Sequence, residues 1–174
     1  MEILFTQEAI QARVAELGRE INQAYRSQDL TVVGILNGCF MFMGDLCKQF
    51  DASIQVDFAR LSSYGNSDCP DEVKLLNDLR LDIRDRHVLI VDDILDTGQS
   101  LSKYREHLLT MGPRSVKLCT MIDKTARRQS AIEPDFYGFR IDDGFIVGYG
   151  LDFAERYRTL PAIYVLDPSE TRAA

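Results

Sequence analysis

Long apolar segments are absent from this sequence of 174 residues. No apolar run approaches the roughly 20 residues needed to cross a bilayer, and no basic segment followed by an apolar one marks a secretory signal. Basic residues are not in surplus either, since 20 lysines and arginines stand against 27 aspartates and glutamates, a net charge of −7. We therefore expect a cytoplasmic protein with no general affinity for nucleic acid or anionic membranes.

Cysteine-based sites and common nucleotide or calcium motifs are also missing. The four cysteines are scattered, without a CxxC pair or a histidine pattern, so free thiols are favoured over disulfides or a zinc site. No GxxxxGK string is present for a P-loop, and Ile94 occupies a position that an EF-hand would need for a ligand. The ordinary composition, with 45% hydrophobic residues, predicts one soluble globular domain.

Strand and helix patterns alternate along the chain. Apolar residues recur at helical spacing over residues 6–26, with Thr6 as the predicted N-cap. The other predicted elements are helices over 40–50 and 101–111, and strands over 31–36, 54–58, 73–76, 88–91, 116–122, 136–141 and 162–166. Within 54–58 we expect Gln55 and Asp57 to face solvent. This alternation predicts an α/β fold, an open, mostly parallel twisted sheet flanked by helices.

The most informative segment is VLIVDDILDTGQS, residues 88–100. A buried strand ends in Asp92 and Asp93, and the polar turn DTGQS then opens a helix, where free N–H groups favour a phosphate. Gly98 allows close backbone approach or a positive φ. The paired carboxylates suit Mg²⁺ or sugar hydroxyls, whereas Asp96 would be repelled by a phosphate and suggests proton handling. An Asp-rich turn without a ligand remains the alternative.

The same string resembles the phosphoribosyl diphosphate (PRPP) signature of type I phosphoribosyltransferases. Three further segments resemble hypoxanthine-guanine phosphoribosyltransferases: VVGILNGCFMFMGDL (32–46), VDFARLSSYGN (56–66) and FIVGYGLDFAERYRTLP (145–161). Together the segments span nearly the whole chain. The resemblance implies the type I fold in a single domain over residues 1–174, with a core of about 25–145, a small hood from the N- and C-terminal segments and a flexible active-site loop.

The resemblance also implies which residues bind PRPP. Those implied for the ribose and its 5′-phosphate are Asp92, Asp93, Asp96, Thr97, Gly98, Gln99 and Ser100. Those implied for pyrophosphate are Asn37, Gly38 and Arg158. Mg²⁺ is the implied cofactor, and the carboxylates implied to lie near it are Asp92, Asp93 and Asp152.

A second group of residues is implied for the purine and for closure of the site. The purine-binding residues are Lys124, Phe145 and Ile146, and the flexible loop begins at Ser63 and Tyr64. Asp96 is implied as the general base or acid at purine N7. Considered without the resemblance, Lys124 fits a solvated strand-end charge and Phe145 a core residue, while Asp152 and Arg158 fit surface charges.

Two positions depart from the family pattern. Asn37 stands where the family usually has lysine or arginine, so one positive side chain is lost beside pyrophosphate or near a subunit contact. Asp92 stands where glutamate is common, which shortens the reach by one methylene and keeps the charge. In this loop the resemblance also predicts a cis peptide between Leu36 and Asn37.

The implied reaction transfers the 5-phosphoribosyl group from PRPP to N9 of hypoxanthine or guanine, giving IMP or GMP and pyrophosphate. The implied partners are these small molecules, in a homodimer or homotetramer. Two alternatives stay open. One is a nucleotide-binding regulator with the same fold and little catalysis, and the other is an enzyme that prefers xanthine.

Overall fold

A computed structural model describes residues 1–50, 54–63 and 73–167 of the chain. Its helices are α1 Gln7–Ala24, α2 Phe40–Cys47 and α3 Gln99–Thr110. Its strands are β1 Glu2–Phe5, β2 Leu30–Leu36, β3 Gln55–Ser63, β4 Val73–Asn77, β5 His87–Leu95, β6 Ser115–Lys124, β7 Phe136–Ile141, β8 Ile146–Val147 and β9 Ile163–Val165. In the described ranges no helix combines the length and apolarity that a membrane crossing requires.

The main sheet has six strands in the order β4-β3-β2-β5-β6-β7. Only the β3–β4 pair is antiparallel, which confirms the predicted mostly parallel α/β sheet. The chain leaves β2 through α2 toward β3 on one side, and leaves β5 through α3 toward β6 on the other. Strand order therefore reverses between β2 and β5, and ligands of open α/β sheets bind at the carboxyl ends of strands at such a point.

Apolar side chains cover both faces of the main sheet. The α1 residues Ile10, Val14, Leu17 and Ile21 are at most 1% exposed and pack, together with α2, against one face. The α3 residues Leu101, Tyr104 and Leu108 pack against the other face. The predicted helical stripes are confirmed, as is the N-cap, because Thr6 Oγ1 accepts a hydrogen bond from Ala9 N at 3.3 Å.

A second sheet of three antiparallel strands, β1-β9-β8, joins segments from both ends of the chain. The sequence did not predict β1 or β8. β8 spans two residues, and β1 is mostly exposed, so neither carries a clear apolar pattern. The predicted boundaries between core and hood remain a prediction.

The predicted exposure of β3 is wrong at Asp57, although the strand itself is confirmed. Asp57 is 9% exposed, whereas its neighbour Phe58 is 36% exposed. The carboxylate accepts backbone hydrogen bonds from Phe58 N at 2.9 Å, Arg80 N at 2.7 Å and Leu81 N at 2.9 Å. A buried carboxylate is tolerated when several donors satisfy it, and here it fixes residues 80 and 81 against β3.

The loop predicted over 62–72 falls mostly outside the described residues. Tyr64 lies outside them, and Ser63 is the last residue of β3. Two boundaries also differ from the prediction. α2 ends at Cys47, three residues short of Phe50, and β5 continues through both aspartates to Leu95 because β6 pairs with it as far as Asp123.

Candidate active site

The predicted site residues gather at the carboxyl edge of the main sheet, around the end of β5. β2 pairs with β5 only as far as Gly34 with Val91, whereas β6 stays paired to Leu95. Asp92 and Asp93 therefore lie within β5, just where that strand separates from β2. The opening beside them is bordered by the loop after β2, the turn after β5 and the segment after β8.

Asp92 and Asp93 form a crowded pair of carboxyl groups. Burial, followed by the charge of Asp93, raises the pKa of Asp92 well above its usual range. Burial also raises the pKa of Asp93, against the opposing effects of its hydrogen bonds and of the nearby Arg158 charge. Asp93 N donates to Asp92 Oδ1 at 3.0 Å. Two adjoining acids whose charges are disfavoured in this way suit a cation or hydroxyl donors supplied by a ligand.

The loop after β2 is pressed against Asp93. A Cβ on Gly38 would overlap the Asp93 carboxylate, so any larger residue there would force Asp93 or the loop to move. A Cβ on Gly150 would lie 2.0 Å from the Gly38 carbonyl oxygen. Leu36–Asn37 is a cis peptide, as predicted, and the Asn37 side chain is exposed. The structure thus stacks the predicted pyrophosphate loop between β5 and the segment after β8.

Arg158 is tied into this segment rather than projecting freely into solvent. Its Nη1 donates to the Gly150 carbonyl at 2.9 Å, and its Nη2 lies 2.8 Å from Asp152 Oδ1 and 3.0 Å from Glu155 Oε2. The Arg158 side chain is 18% exposed. The structure therefore brings the predicted pyrophosphate arginine and the predicted metal carboxylate Asp152 together.

The three carboxylates predicted for Mg²⁺ do not form one cluster. In the part of the chain that is described, no group of three or more histidine, cysteine or acidic side chains is close enough to hold a metal ion. Asp92 and Asp93 nevertheless suit this ion, because Mg²⁺ is commonly held by one or two carboxylates together with substrate phosphates. Burial raises the pKa of both carboxyl groups, and the nearby charge of Arg158 offsets this effect at Asp93 only in part.

The turn predicted for the 5′-phosphate has the expected form. Gly98 is the residue before α3 and has φ of +79°. A Cβ there would lie 2.4 Å from Ser130 Oγ and 2.7 Å from Ile132 Cγ2, so glycine is required both by φ and by space. Gln99 and Ser100 begin the helix, whose first N–H groups have no partner within the helix and favour an anion.

Asp96 and Lys124 face each other at the ends of β5 and β6. Lys124 Nζ lies 4.0 Å from Asp96 Oδ2 and 2.9 Å from Asp143 Oδ1, and the lysine side chain is only 7% exposed. Arg127 Nη1 lies 3.3 Å from the same Asp96 oxygen. Asp96 Oδ1 is buried with no hydrogen-bond partner among the described residues. Asp96, predicted to handle a proton, and Lys124, predicted to contact the purine, are thus neighbours.

The remaining purine residues lie on the segment that follows Asp143. The ring of Phe145 is 46% exposed and meets the ring of Phe153 edge-on, with centroids 5.3 Å apart. An aromatic face left open in this way suits stacking on a flat base. Ile146 is 7% exposed and pairs with Val165. The Ile146 side chain therefore belongs to the hydrophobic core. Only the backbone of this residue is available to contact the edge of a purine.

Sequence reasoning missed the support beneath Asp96 and Lys124. Asp123 is fully buried and is bound by Arg128 and by Arg140, with Arg140 Nε 2.7 Å from Asp123 Oδ2. Nothing in the string IDKTARR distinguishes Arg128 from its exposed neighbour Arg127. The signal that could have found Asp123 is an acidic residue directly after the apolar pair Met121 and Ile122 of β6, because a buried carboxylate needs a partner.

Comparison with known proteins gives consistent matches over nearly the full chain. Residues 1–154 match the family model described as the phosphoribosyl transferase domain. The chain is 48% identical over 166 residues to the hypoxanthine phosphoribosyltransferase of Escherichia coli K12, covering 94% of this chain and 93% of that protein. It is 43% identical over 169 residues to the hypoxanthine-guanine phosphoribosyltransferase of Bacillus subtilis 168, covering 97% and 94%.

Solved structures give the same match in three dimensions. The crystal structure of a hypoxanthine phosphoribosyltransferase from Staphylococcus aureus aligns with a TM-score of 0.93 at 42% identity, covering 98% of this chain and 93% of that chain. A hypoxanthine-guanine phosphoribosyltransferase from Bacillus anthracis aligns with a TM-score of 0.90 at 36% identity, covering 96% and 98%. The likeness therefore includes sequence as well as fold.

Proposed function

The chain belongs to the hypoxanthine-guanine branch of the phosphoribosyltransferase family, and on that premise we propose how its residues serve purine salvage. The enzyme transfers the 5-phosphoribosyl group of PRPP to N9 of hypoxanthine or guanine. The products are IMP or GMP and pyrophosphate. The roles of individual residues below are proposals that rest on the geometry of the site.

The observation that supports the catalytic role most directly is the environment of Asp96. One carboxylate oxygen lies between the cations of Lys124 and Arg127, while the other is buried without a donor among the described residues. A carboxylate with unused accepting capacity is costly unless a ligand supplies the missing hydrogen. We assign Asp96 to the proton at purine N7, where a general acid or base contributes about 10²–10⁴-fold in rate.

Lys124 fits the role of reading the 6-oxo group of the purine. Its ammonium is almost fully buried and is held by Asp143 at 2.9 Å, so its direction is fixed before the base binds. An ammonium only donates hydrogen bonds, and it therefore favours the oxo group of hypoxanthine or guanine over the amino group of adenine. Phe145 supplies the stacking face, and the backbone at Ile146 supplies the edge contacts.

The pyrophosphate side would be completed by PRPP and Mg²⁺. Asp92 and Asp93 are the carboxylates proposed to hold the ion, which would neutralise the diphosphate as it departs. Asp152 is proposed as a metal-associated carboxylate as well, although it is paired with Arg158 at 2.8 Å and forms no single cluster with the other two among the described residues. Arg158 offers forked donors that match phosphate oxygens, and the backbone at Gly38 lies beside Asp93. An acidic protein can bind so anionic a substrate because these groups act locally.

The 5′-phosphate is assigned to the turn from Asp96 to Ser100. Thr97 and Ser100 contribute hydroxyl donors, and the start of α3 contributes backbone N–H groups. Ser63 and Tyr64 are assigned to the loop that closes over the reacting centre. We also propose a cytoplasmic location, from the sequence features described above, and a homodimer or homotetramer, as the family resemblance implies.

The test is an activity assay on the purified protein with PRPP, Mg²⁺ and one base at a time: hypoxanthine, guanine, xanthine or adenine. We expect pyrophosphate release and nucleotide formation with hypoxanthine or guanine, and none with adenine. Faster turnover of xanthine than of either base would establish the xanthine-preferring alternative. Absence of pyrophosphate with all four bases, while IMP still binds, would overturn the proposal in favour of the nucleotide-binding regulator.

A further inference from the structure

Arg128 contacts both the part of the site proposed to bind the purine base and the part proposed to bind the 5′-phosphate. We propose that it is a positioning residue, which fixes the distance and orientation between these two parts. This inference rests on the proposed function, because it concerns how the base and the 5′-phosphate of one nucleotide are bound together. Arg128 itself lies beneath the site, with a side chain only 11% exposed.

The hydrogen bonds of Arg128 connect the ends of two neighbouring strands. Its Nε donates to the Asp96 carbonyl at 3.0 Å, and its Nη2 donates to the Leu95 carbonyl at 3.3 Å. The same Nη2 donates to the Lys124 carbonyl at 3.2 Å. One planar group therefore holds the backbone of the proposed proton handler and the backbone of the base reader.

The residues that follow Arg128 are bound to the phosphate turn as well. Gln129 N and Ser130 N both donate to the Thr97 carbonyl, at 2.9 Å and 3.3 Å. Ser130 Oγ is close enough to Gly98 to exclude a Cβ there. A shift of the Arg128 segment is therefore transmitted directly to the turn that is proposed to bind the 5′-phosphate.

Asp123 anchors this arrangement from below. It is fully buried and accepts from Arg128 on one oxygen and from Arg140 Nε on the other, the latter at 2.7 Å. Two guanidinium groups on one buried carboxylate compensate its charge. Among the described contacts, Arg140 shares Asp123 with Arg128 but bonds none of the three carbonyls at the ends of β5 and β6. Arg140 is therefore the matched control.

Register matters because a nucleotide must engage both ends at once. A base or a sugar phosphate alone can bind its own part of the site wherever that part lies. A nucleotide joins the two, and it gains affinity from this linkage only when both ends can bind at the same time. A lysine at residue 128 would keep the charge near Asp123 but would lack the rigid fork that spans the carbonyls.

The experiment compares Arg128→Lys with Arg140→Lys. Dissociation constants are measured by calorimetry for IMP, for inosine and for ribose 5-phosphate, with displacement titrations for the weak ligands. We expect Arg128→Lys to weaken IMP binding by ~100-fold, the lower end of the gain that linking two binding groups provides. Inosine and ribose 5-phosphate should bind nearly as they do to the wild type, and Arg140→Lys should leave all three constants unchanged.

Two outcomes would overturn the inference. One is wild-type affinity for IMP in Arg128→Lys, and the other is an equal loss for the fragments and for IMP, which would indicate simple distortion of the turn. Should Arg128→Lys fail to fold, Arg128→Gln is measured in the same way, and melting temperatures establish which variant is folded. Failure of the proposed function is distinguishable, because it is scored by turnover of the wild type and this comparison is scored by binding.

Discussion

The two sides of this site are built differently. On the side of the base and the 5′-phosphate, buried charges are compensated within the chain: Asp123 by two arginines and Lys124 by Asp143. On the side of the pyrophosphate, Asp92 and Asp93 adjoin each other and both have raised pKa values. On the first side each of these two charges has a partner in the chain, whereas on the second side the charge of Arg158 only partly offsets the burial of Asp93.

Backbone conformation follows the same division. Near the pyrophosphate side, Ala154, Glu155 and Tyr157 have φ of 50°, 60° and 72°, a region that L-residues adopt at a cost. On the other side, the positive φ of the phosphate turn falls on Gly98, where it is free of such cost. Within the candidate site, the non-glycine residues with positive φ and the carboxyl groups with raised pKa values therefore lie together, on the side proposed to hold the departing diphosphate.

The largest effect is expected from Asp96→Asn. This variant tests whether the side of the base and the 5′-phosphate carries the proton chemistry. Turnover should fall by about 10²–10⁴-fold, since a general acid or base contributes that much, while the dissociation constant for IMP changes little. Steady-state kinetics and calorimetry measure the two quantities. Asp143→Asn is the control, because Asp143 bonds the same lysine and is largely exposed, and it should raise KM for the base more than it lowers kcat. Near-normal turnover in Asp96→Asn would remove Asp96 from the proton-transfer role.

The next effect is expected from Gly38→Ala, which tests the geometry of the pyrophosphate side. The added methyl group would overlap the Asp93 carboxylate, so Asp93 or the loop must move. A displacement of about 1 Å here should lower kcat/KM for PRPP by ~100-fold. Gly44→Ala is the control, because nothing lies within 4 Å of a Cβ at that helical position. It should keep full activity and gain about 0.5–1 kcal/mol in stability. Equal activity in the two variants would contradict the close packing.

The sequence predicted those parts of the molecule whose cause is local. The stripe of Ile10, Val14, Leu17 and Ile21 has helical period, and the turn at Gly98 carries its own conformational signal. Each of these follows from neighbouring residues, and each is confirmed by burial or backbone angles. The family resemblance then assigned roles that no periodicity could assign.

The parts that could not be predicted depend on contacts between distant residues. Arg128 reaches carbonyls 32 and 33 residues away, and a carbonyl has no side-chain identity to search for. Asp57 looked solvated by alternation, yet it accepts hydrogen bonds from residues 23 and 24 positions further along the chain. The adjacent carboxylates were visible in sequence, but the burial that raises their pKa values was not.

Asp92→Asn tests whether the adjoining carboxyl groups on the pyrophosphate side lower the stability of the folded protein. The raised folded-state pKa of Asp92, above its usual 3.8, means that the folded protein binds more protons than the unfolded chain in the interval between these two values. Wild-type stability should therefore fall as pH rises through that interval. An asparagine keeps an oxygen for Asp93 N and does not ionise, so the melting temperature at pH 7 should rise, by about 2–4 °C for each 1 kcal/mol.

The control for Asp92→Asn is Asp29→Asn, at a side chain that is 83% exposed and lies 3.9 Å from Arg86 Nη1, so the melting temperature should stay nearly unchanged. Mg²⁺ with pyrophosphate should raise the melting temperature of the wild type more than that of Asp92→Asn, because the variant lacks one of the proposed carboxylates. A lower melting temperature in Asp92→Asn at pH 7 would show that the chain already compensates this charge.

The smallest effect is expected from Ala154→Gly, which tests whether the backbone of the pyrophosphate side is strained. Phe153 and Arg156 bridge across a two-residue turn in which Ala154 and Glu155 both have positive φ. Such turns favour glycine or asparagine, because a Cβ in this conformation is crowded by the backbone. Glycine should therefore raise stability by about 0.5–1 kcal/mol, measured by urea denaturation.

The same substitution at Ala12, an exposed position in α1, should instead lower stability by about 1 kcal/mol. Opposite signs for one chemical change would locate the strain in the turn, and a loss at both positions would show that residue 154 is not strained. A gain in stability with a rise in KM for PRPP would further show that the strained turn sets the position of Arg158.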